Sequence, residues 1–141
     1  MKIATWTIAG SMGEPIYISS HEPEGSPKGV VLMAHGFKGY KEYGMFPWLA
    51  DALASCGYRA HRFNFSHSGM IDSDGPFERP ELFEQSTWNS QVGDLHAVAN
   101  ECALPDCPLI LFGHSRGGVA SLLAVGRGVV EASRIITLAS P

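Results

Sequence analysis

A chain of 141 residues, 45% hydrophobic and 17% charged, is long enough for one domain with its own apolar core. Its formal net charge of -4, with the basic residues scattered, leaves no positive stripe to neutralise a run of phosphates and argues against nucleic acid as a partner. Gly, Pro or charged residues interrupt every apolar run well short of the ~20 residues needed to cross a bilayer, so the sequence predicts a soluble protein with no membrane segment.

In chain order, Met1 to Gly10 is too short and too alternating for a secretory signal and reads as a strand. Ile3 to Ile8 and Pro15 to Ser19 flank Gly10-Ser11-Met12-Gly13, the pattern of an antiparallel hairpin, which a Gly/Pro/Ser/Glu loop over 22–28 follows. Gly29 to Ala34 is a continuous apolar run of the kind buried on both faces of a parallel sheet. Phe46, Leu49, Ala50, Leu53 and Ala54 recur at helical spacing within Met45 to Cys56, with Gly57 placed to cap the helix. A strand, Tyr58 to Phe65, precedes a long loop from Ser66 to Glu84 that shows no period.

Trp88, Val92, Leu95, Ala99 and Cys102 mark a second amphipathic helix, which Pro105 and Pro108 end before the strand Leu109 to Phe112. A third helix runs from about Ser115 to Val125, and Ile135 to Ala139 forms one more apolar strand. This order predicts an α/β fold: a mostly parallel open sheet with helices on both faces. The expected organisation is one domain over 1–141, with a hairpin and loop over 1–28 and a βαβ core over 29–141. The last strand is as apolar as an interior one, so the domain is expected to be incomplete after its sixth strand, leaving an edge open to self-association.

Three cysteines, Cys56, Cys102 and Cys107, match neither a zinc ribbon nor a redox pair, and a reducing cytoplasm fits them best. Cys102 and Cys107, with Pro105 between them, read as small buried hydrophobes flanking a helix-to-strand turn.

The chemistry-bearing segment is Gly113-His114-Ser115-Arg116-Gly117-Gly118. A Gly-x-Ser-x-Gly pentapeptide alone is a weak signal in a glycine-rich chain. Here it follows an apolar strand, opens a helix and lies downstream of His35-Gly36, which is the setting of a nucleophile elbow over 113–117. Such a bend needs Gly113 and Gly117, because Cβ atoms there would collide with adjacent backbone, and it aims a helix amino terminus at the hydroxyl of Ser115. His35-Gly36-Phe37-Lys38-Gly39, directly after the first central strand, is placed to supply a second main-chain donor. The expected oxyanion hole is Phe37 N–H with Arg116 N–H.

These segments, together with Arg62-Phe63-Asn64-Phe65-Ser66-His67-Ser68-Gly69, resemble the α/β-hydrolase superfamily over nearly the whole chain. The likeness is strongest to single-domain bacterial esterases and serine-aminopeptidase-like hydrolases of the cinnamoyl-esterase kind. Asn64 stands where many members carry Asp, and Ser66-His67-Ser68-Gly69 replaces the commoner Arg-Gly-His-Gly, departures that concern a structural turn. The resemblance implies a serine hydrolase acting on a carboxylic ester or related acyl substrate through an acyl-enzyme on Ser115, without cofactor or metal. It also implies an acid after the seventh strand and a histidine after the eighth. Only Glu131 is acidic after Ser115 and no histidine follows it, so the acid and base are expected outside this chain, which alone should be nearly inactive.

Of the upstream histidines, His114 adjoins the nucleophile on a turn that sends consecutive side chains apart, His35 belongs to the oxyanion segment, and His96 is expected on a helix behind the sheet. His67 reads as a hydrogen-bonded turn residue that could reach the strands' carboxyl ends. The six histidines share no metal-ligand spacing. Asp72, Asp74, Glu78, Glu81 and Glu84 lack EF-hand spacing and read as a solvated loop. Phe37, Tyr40, Tyr43, Phe46 and Trp48 are candidates for an acyl pocket, helix packing being an equal alternative for the last two. Rival readings are a non-catalytic scaffold or binding module that pairs through the open edge, and an acyltransferase, lyase or peptidase on the same elbow.

Overall fold

The computed structural model describes residues 2–71 and 75–141. Two strands, β1 (Lys2–Ala9) and β2 (Pro15–Glu22), form the expected hairpin, paired from Lys2↔Glu22 to Ala9↔Pro15. The turn between them is a single 3₁₀ turn at Ser11–Gly13. β3 (Val30–Ala34) is buried at every residue, which is what its unbroken apolar run requires. α1 (Phe46–Ser55) has Pro47 in its first turn and is followed by Gly57 at φ 94, then β4 (Arg59–Phe63).

The stretch expected to be irregular holds a short helix, α2 (Pro80–Glu84), with Leu82 buried, and a single bridge between Met70 and Phe77. Pro80 pre-sets the backbone at the start of this helix, whose five residues are too few to show a period. α3 (Trp88–Cys102) begins with a capping box: Thr87 Oγ1 accepts from Ser90 N–H, and Ser90 Oγ accepts from Thr87 N–H. β5 (Leu109–His114), α4 (Arg116–Gly126) and β6 (Arg134–Leu138) complete the described elements.

The six strands make one sheet in the order β1-β2-β4-β3-β5-β6, antiparallel across β1, β2 and β4 and parallel from β4 to β6. The chain steps outward from β3 to β4 and then crosses back to β5 on the other side of β3. Right-handed crossovers therefore put α1 on one face of the sheet and α3 with α4 on the other.

Alternation along β3 sends Val30, Leu32 and Ala34 to the larger core with Leu95, Val98, Ala120 and Ala124. Val31 and Met33 face the smaller core with Phe46, Ala50 and Phe112. Because neighbouring strands β3 and β5 feed helices on opposite faces, a crevice opens at their carboxyl ends, the usual ligand position in open α/β sheets. β6 is an edge whose Ile136 and Leu138 are about half exposed. All three cysteines are free; Cys102 is buried in the α3 core, and burial pushes its thiol up to about 12.

Candidate active site

Register places Ala34 of β3 beside Gly113 of β5, so the 35–39 segment and the bend after β5 leave the sheet side by side. Ser115 occupies that bend at φ 51 and ψ -121, outside the regions open to ordinary L residues. Such a conformation costs on the order of 1–3 kcal/mol and persists only where its surroundings over-determine it.

The surroundings do so here. Ser115 N–H donates to Leu138 O at 2.8 Å, while Ser115 O accepts from Gly118 N–H at 3.0 Å and from Ser140 Oγ at 2.9 Å. A Cβ on Gly117 would overlap the Ala34 carbonyl oxygen, and one on Gly113 would overlap the Gly118 backbone. Both glycines are therefore required by close backbone approach. A Cβ on Gly36 would stand 3.1 Å from Ser115 Cβ, which fixes how closely the two segments meet.

Gly39 N–H donates to Gly36 O at 3.0 Å, with Lys38 at φ 56, so residues 36–39 turn tightly over the crevice. His35 anchors this turn. It is buried, its Nδ1–H donates to Gly36 O at 2.8 Å, and its Nε2 accepts from Phe65 N–H at 3.1 Å. Burial drives its pKa down to about 4, only partly opposed by the bond to Gly36, so this ring is neutral and structural at pH 7.

The far end of the loop is braced as well. Arg62 donates to Lys41 O and pairs with Glu42, while its Nε–H donates to His21 Nε2 at 2.8 Å. Asn64 Oδ1 accepts from Lys41 N–H at 2.7 Å, so the residue that departs from the superfamily pattern serves the turn.

Phe37 and Arg116 both line a cavity of about 140 Å³, whose walls also include Gly36, Phe65, His67 and Gln91. Ser115 adjoins it through Gly36. Neither Phe37 N–H nor Arg116 N–H donates a hydrogen bond among the described residues, and Arg116 opens α4, where main-chain donors have no partner within the helix. The Arg116 guanidinium lies 4.3 Å over the Trp88 ring, and its Nε–H donates to Gln91 Oε1 at 3.2 Å. A second hollow of about 500 Å³ adjoins the first through Lys38, Gly39 and Ser68, with Tyr40 and Phe77 on its far walls.

Of the aromatic candidates, Phe37 is exposed against Phe83 of α2 and Tyr40 faces the second hollow. Phe46 is core, whereas Trp48 and Tyr43 point to solvent. Asp72 and Asp74 lie outside the described residues. Glu81 pairs with Arg79, which holds its carboxyl below the usual range. No group of three His, Cys, Asp or Glu side chains among the described residues could hold a metal ion. His96 is exposed on α3 and bonded to Val129 O.

One arrangement escaped the sequence reading. Asp94, fully buried on α3, accepts from Ser11 N–H, Ser66 N–H and Ser66 Oγ–H at 2.8 Å or a little more. Ser66 Oγ in turn lies 2.7 Å from His67 Nδ1. Burial raises the Asp94 pKa, opposed by these donors. The available signal was a carboxylate on the apolar side of an amphipathic helix, between Val92 and Leu95.

A mostly parallel sheet with helices on both faces and a strained serine between β5 and a helix defines the α/β-hydrolase fold. The sequence matches the family model "Serine aminopeptidase, S33" over residues 25–141, and the chain belongs to that hydrolase family. It is 26% identical over 133 residues to the monoglyceride lipase of Rattus norvegicus, covering 93% of this chain and 41% of the lipase. An α/β serine hydrolase without lid from Xanthomonas campestris is similar at TM-score 0.74 and 24% identity, over all of this chain and 62% of that one. A thermostable carboxyl esterase from Bacillus coagulans is similar at TM-score 0.74 and 17% identity, over 97% and 44%. The chain thus spans less than two thirds of each of these proteins, and among the described residues no helix is long and apolar enough to cross a membrane.

Proposed function

We propose that this chain carries the nucleophile and oxyanion hole of a serine hydrolase acting on a small carboxylic ester or related acyl compound. Ser115 Oγ attacks the carbonyl carbon, and the negative charge that develops on the carbonyl oxygen is held between Phe37 N–H and Arg116 N–H, forming an acyl-enzyme that water then cleaves. The observation that carries this reading is the close meeting of the strained Ser115 bend with the 36–39 turn, beside a cavity lined by Phe37 and Arg116, whose amides donate no hydrogen bond among the described residues. The lipase and esterase likenesses support an ester as substrate. The bend over 113–117 is then a nucleophile elbow.

No histidine nitrogen hydrogen-bonds Ser115 Oγ among the described residues; His35, His21, His61 and His67 are each engaged elsewhere. In this reading none of these four histidines is the base, and the base and its acid are supplied by other residues. Without them the oxyanion hole and binding alone provide only a residual rate. Fluorophosphonate labelling with peptide mapping tests this. The adduct should form only on Ser115, at least roughly 10³-fold more slowly than on a complete triad, and vanish in Ser115→Ala. An adduct on another serine, or labelling indifferent to that substitution, overturns the reading.

The exposed β6 edge, with Ile136 and Leu138, favours a second reading in which the chain self-associates as a scaffold. Sedimentation showing a defined dimer of a chain inert to the probe would favour it.

A further inference from the structure

We propose that His21 is a positioning residue for the 36–41 turn, acting through Arg62, which holds the Lys41 carbonyl while His21 Nε2 accepts its Nε–H. The proposal rests on the Ser115 reading only for what the turn does; the coupling of His21 to the turn does not depend on it.

The contacts run in one line from a surface helix to the turn. Asp51 of α1, half-buried, faces His21 Nδ1 at 2.7 Å, and Arg62 Nε–H donates to His21 Nε2 at 2.8 Å. A guanidinium cannot accept, so Nε2 is the unprotonated nitrogen and Nδ1–H donates to the Asp51 carboxylate. Arg62 Nη1 donates to Lys41 O at 3.0 Å and pairs with Glu42, while Lys41 N–H donates to Asn64 Oδ1 at 2.7 Å. Arg62 in β4 and Asn64 just beyond it thus hold both backbone groups of Lys41. His35, bonded to Phe65 N–H, fixes the other end of the segment, so Phe37 lies between two anchors. His21, Arg62 and Lys41 are all buried, which makes a lost contact among them costly.

A proton on Nε2 breaks this line. Two N–H groups would then face each other across 2.8 Å, with two positive charges in contact, so Arg62 Nε must turn away. Because the guanidinium is a rigid plane, turning Nε also moves Nη1 off Lys41 O. The charged groups acting on His21 are Asp51 on α1, Arg62 on β4 and Glu42, which also pairs with Lys41. His61 lies on the opposite face of β4, bonded to Ser20, and β1 sets Ile3 beside His21. Burial lowers the His21 pKa, the Asp51 bond raises it and Arg62 lowers it again; it ends below the usual imidazole value, so the bonded tautomer is the form at neutral pH.

¹⁵N NMR of the unaltered chain, titrated from about pH 7.5 to about pH 4, tests the coupling. At the upper end His21 should carry its proton on Nδ1, and the Arg62 Nε–H and the amides of 37–41 should shift at the His21 midpoint as pH falls. His21→Gln offers Arg62 an acceptor that does not titrate, so it should remove that step. His21→Leu offers none and should hold the same amides at their acid positions from the start. Fluorophosphonate labelling of Ser115 at neutral pH should be at least about tenfold slower in His21→Leu than in His21→Gln. A proton on Nε2 at neutral pH, an Arg62 Nε–H unmoved as His21 titrates, an amide step that survives in His21→Gln, or equal measurable labelling of the two variants overturns the proposal. The first two of these readouts need no variant. If Ser115 never labels while the amides follow His21, the nucleophile reading falls and the positioning of the turn stands.

Discussion

The two faces of the sheet are finished to different degrees. On one, α3 and α4 bury Leu32, Leu95, Leu111 and Ala120 completely. On the other, α1 is the only helix among the described residues packed in the smaller core, and an apolar groove of about 370 Å³ runs between Leu49, Leu53, Phe112 and Ile136. The rim that holds Ser115 draws on the tightly packed face: Asp94 on α3 ties down Ser11 and Ser66, and α4 starts at the bend itself. The difference teaches that close packing is concentrated on the face behind the strained serine, because local strain persists only if its surroundings forbid relaxation.

Cavity substitutions test this asymmetry with the largest effect. Leu95→Ala on the packed face should lower unfolding free energy by about 4 kcal/mol, whereas Leu53→Ala at the groove should cost about 1, since an open site leaves less new void. Urea unfolding of both variants measures the gap, and equal losses would break the comparison. Gly117→Ala puts a methyl group into the Ala34 carbonyl, and it should cost about 3 kcal/mol and remove fluorophosphonate labelling at Ser115.

Acid provides the gentler test. His35 and His61 both have pKa values depressed to about 4, chiefly by burial. A depressed pKa means the unfolded chain binds protons first, so the stability these neutral rings contribute is complete above about pH 6.5 and is lost as pH falls toward 4. Urea midpoints taken from pH 7 to 4.5 should fall, and His35→Gln should lose less over that window, the difference being on the order of 2 kcal/mol.

Much of this was legible from pattern. The apolar runs of β3 and β5 and the 3.6-residue spacing in α1 and α3 mark elements whose burial repeats over several turns or residues. The Ser115 bend was legible because Gly113 and Gly117 answer a steric need that only residues without side chains meet. α2 was not, since five residues after Pro80 show no period. Nor was the link from Asp94 to Ser66 and His67, because it joins a helix to a loop 28 positions away and depends on how the two pack. His67, which the sequence predicts to be a turn residue, is bonded within its turn to Ser66 Oγ.

The most direct measurement is a crystal structure of the chain with Ser115 covalently phosphonylated. The account predicts the phosphoryl oxygen at about 2.7–3.1 Å from both Phe37 N and Arg116 N. An oxygen turned to solvent, or a Phe37 amide facing away from Ser115, would contradict it.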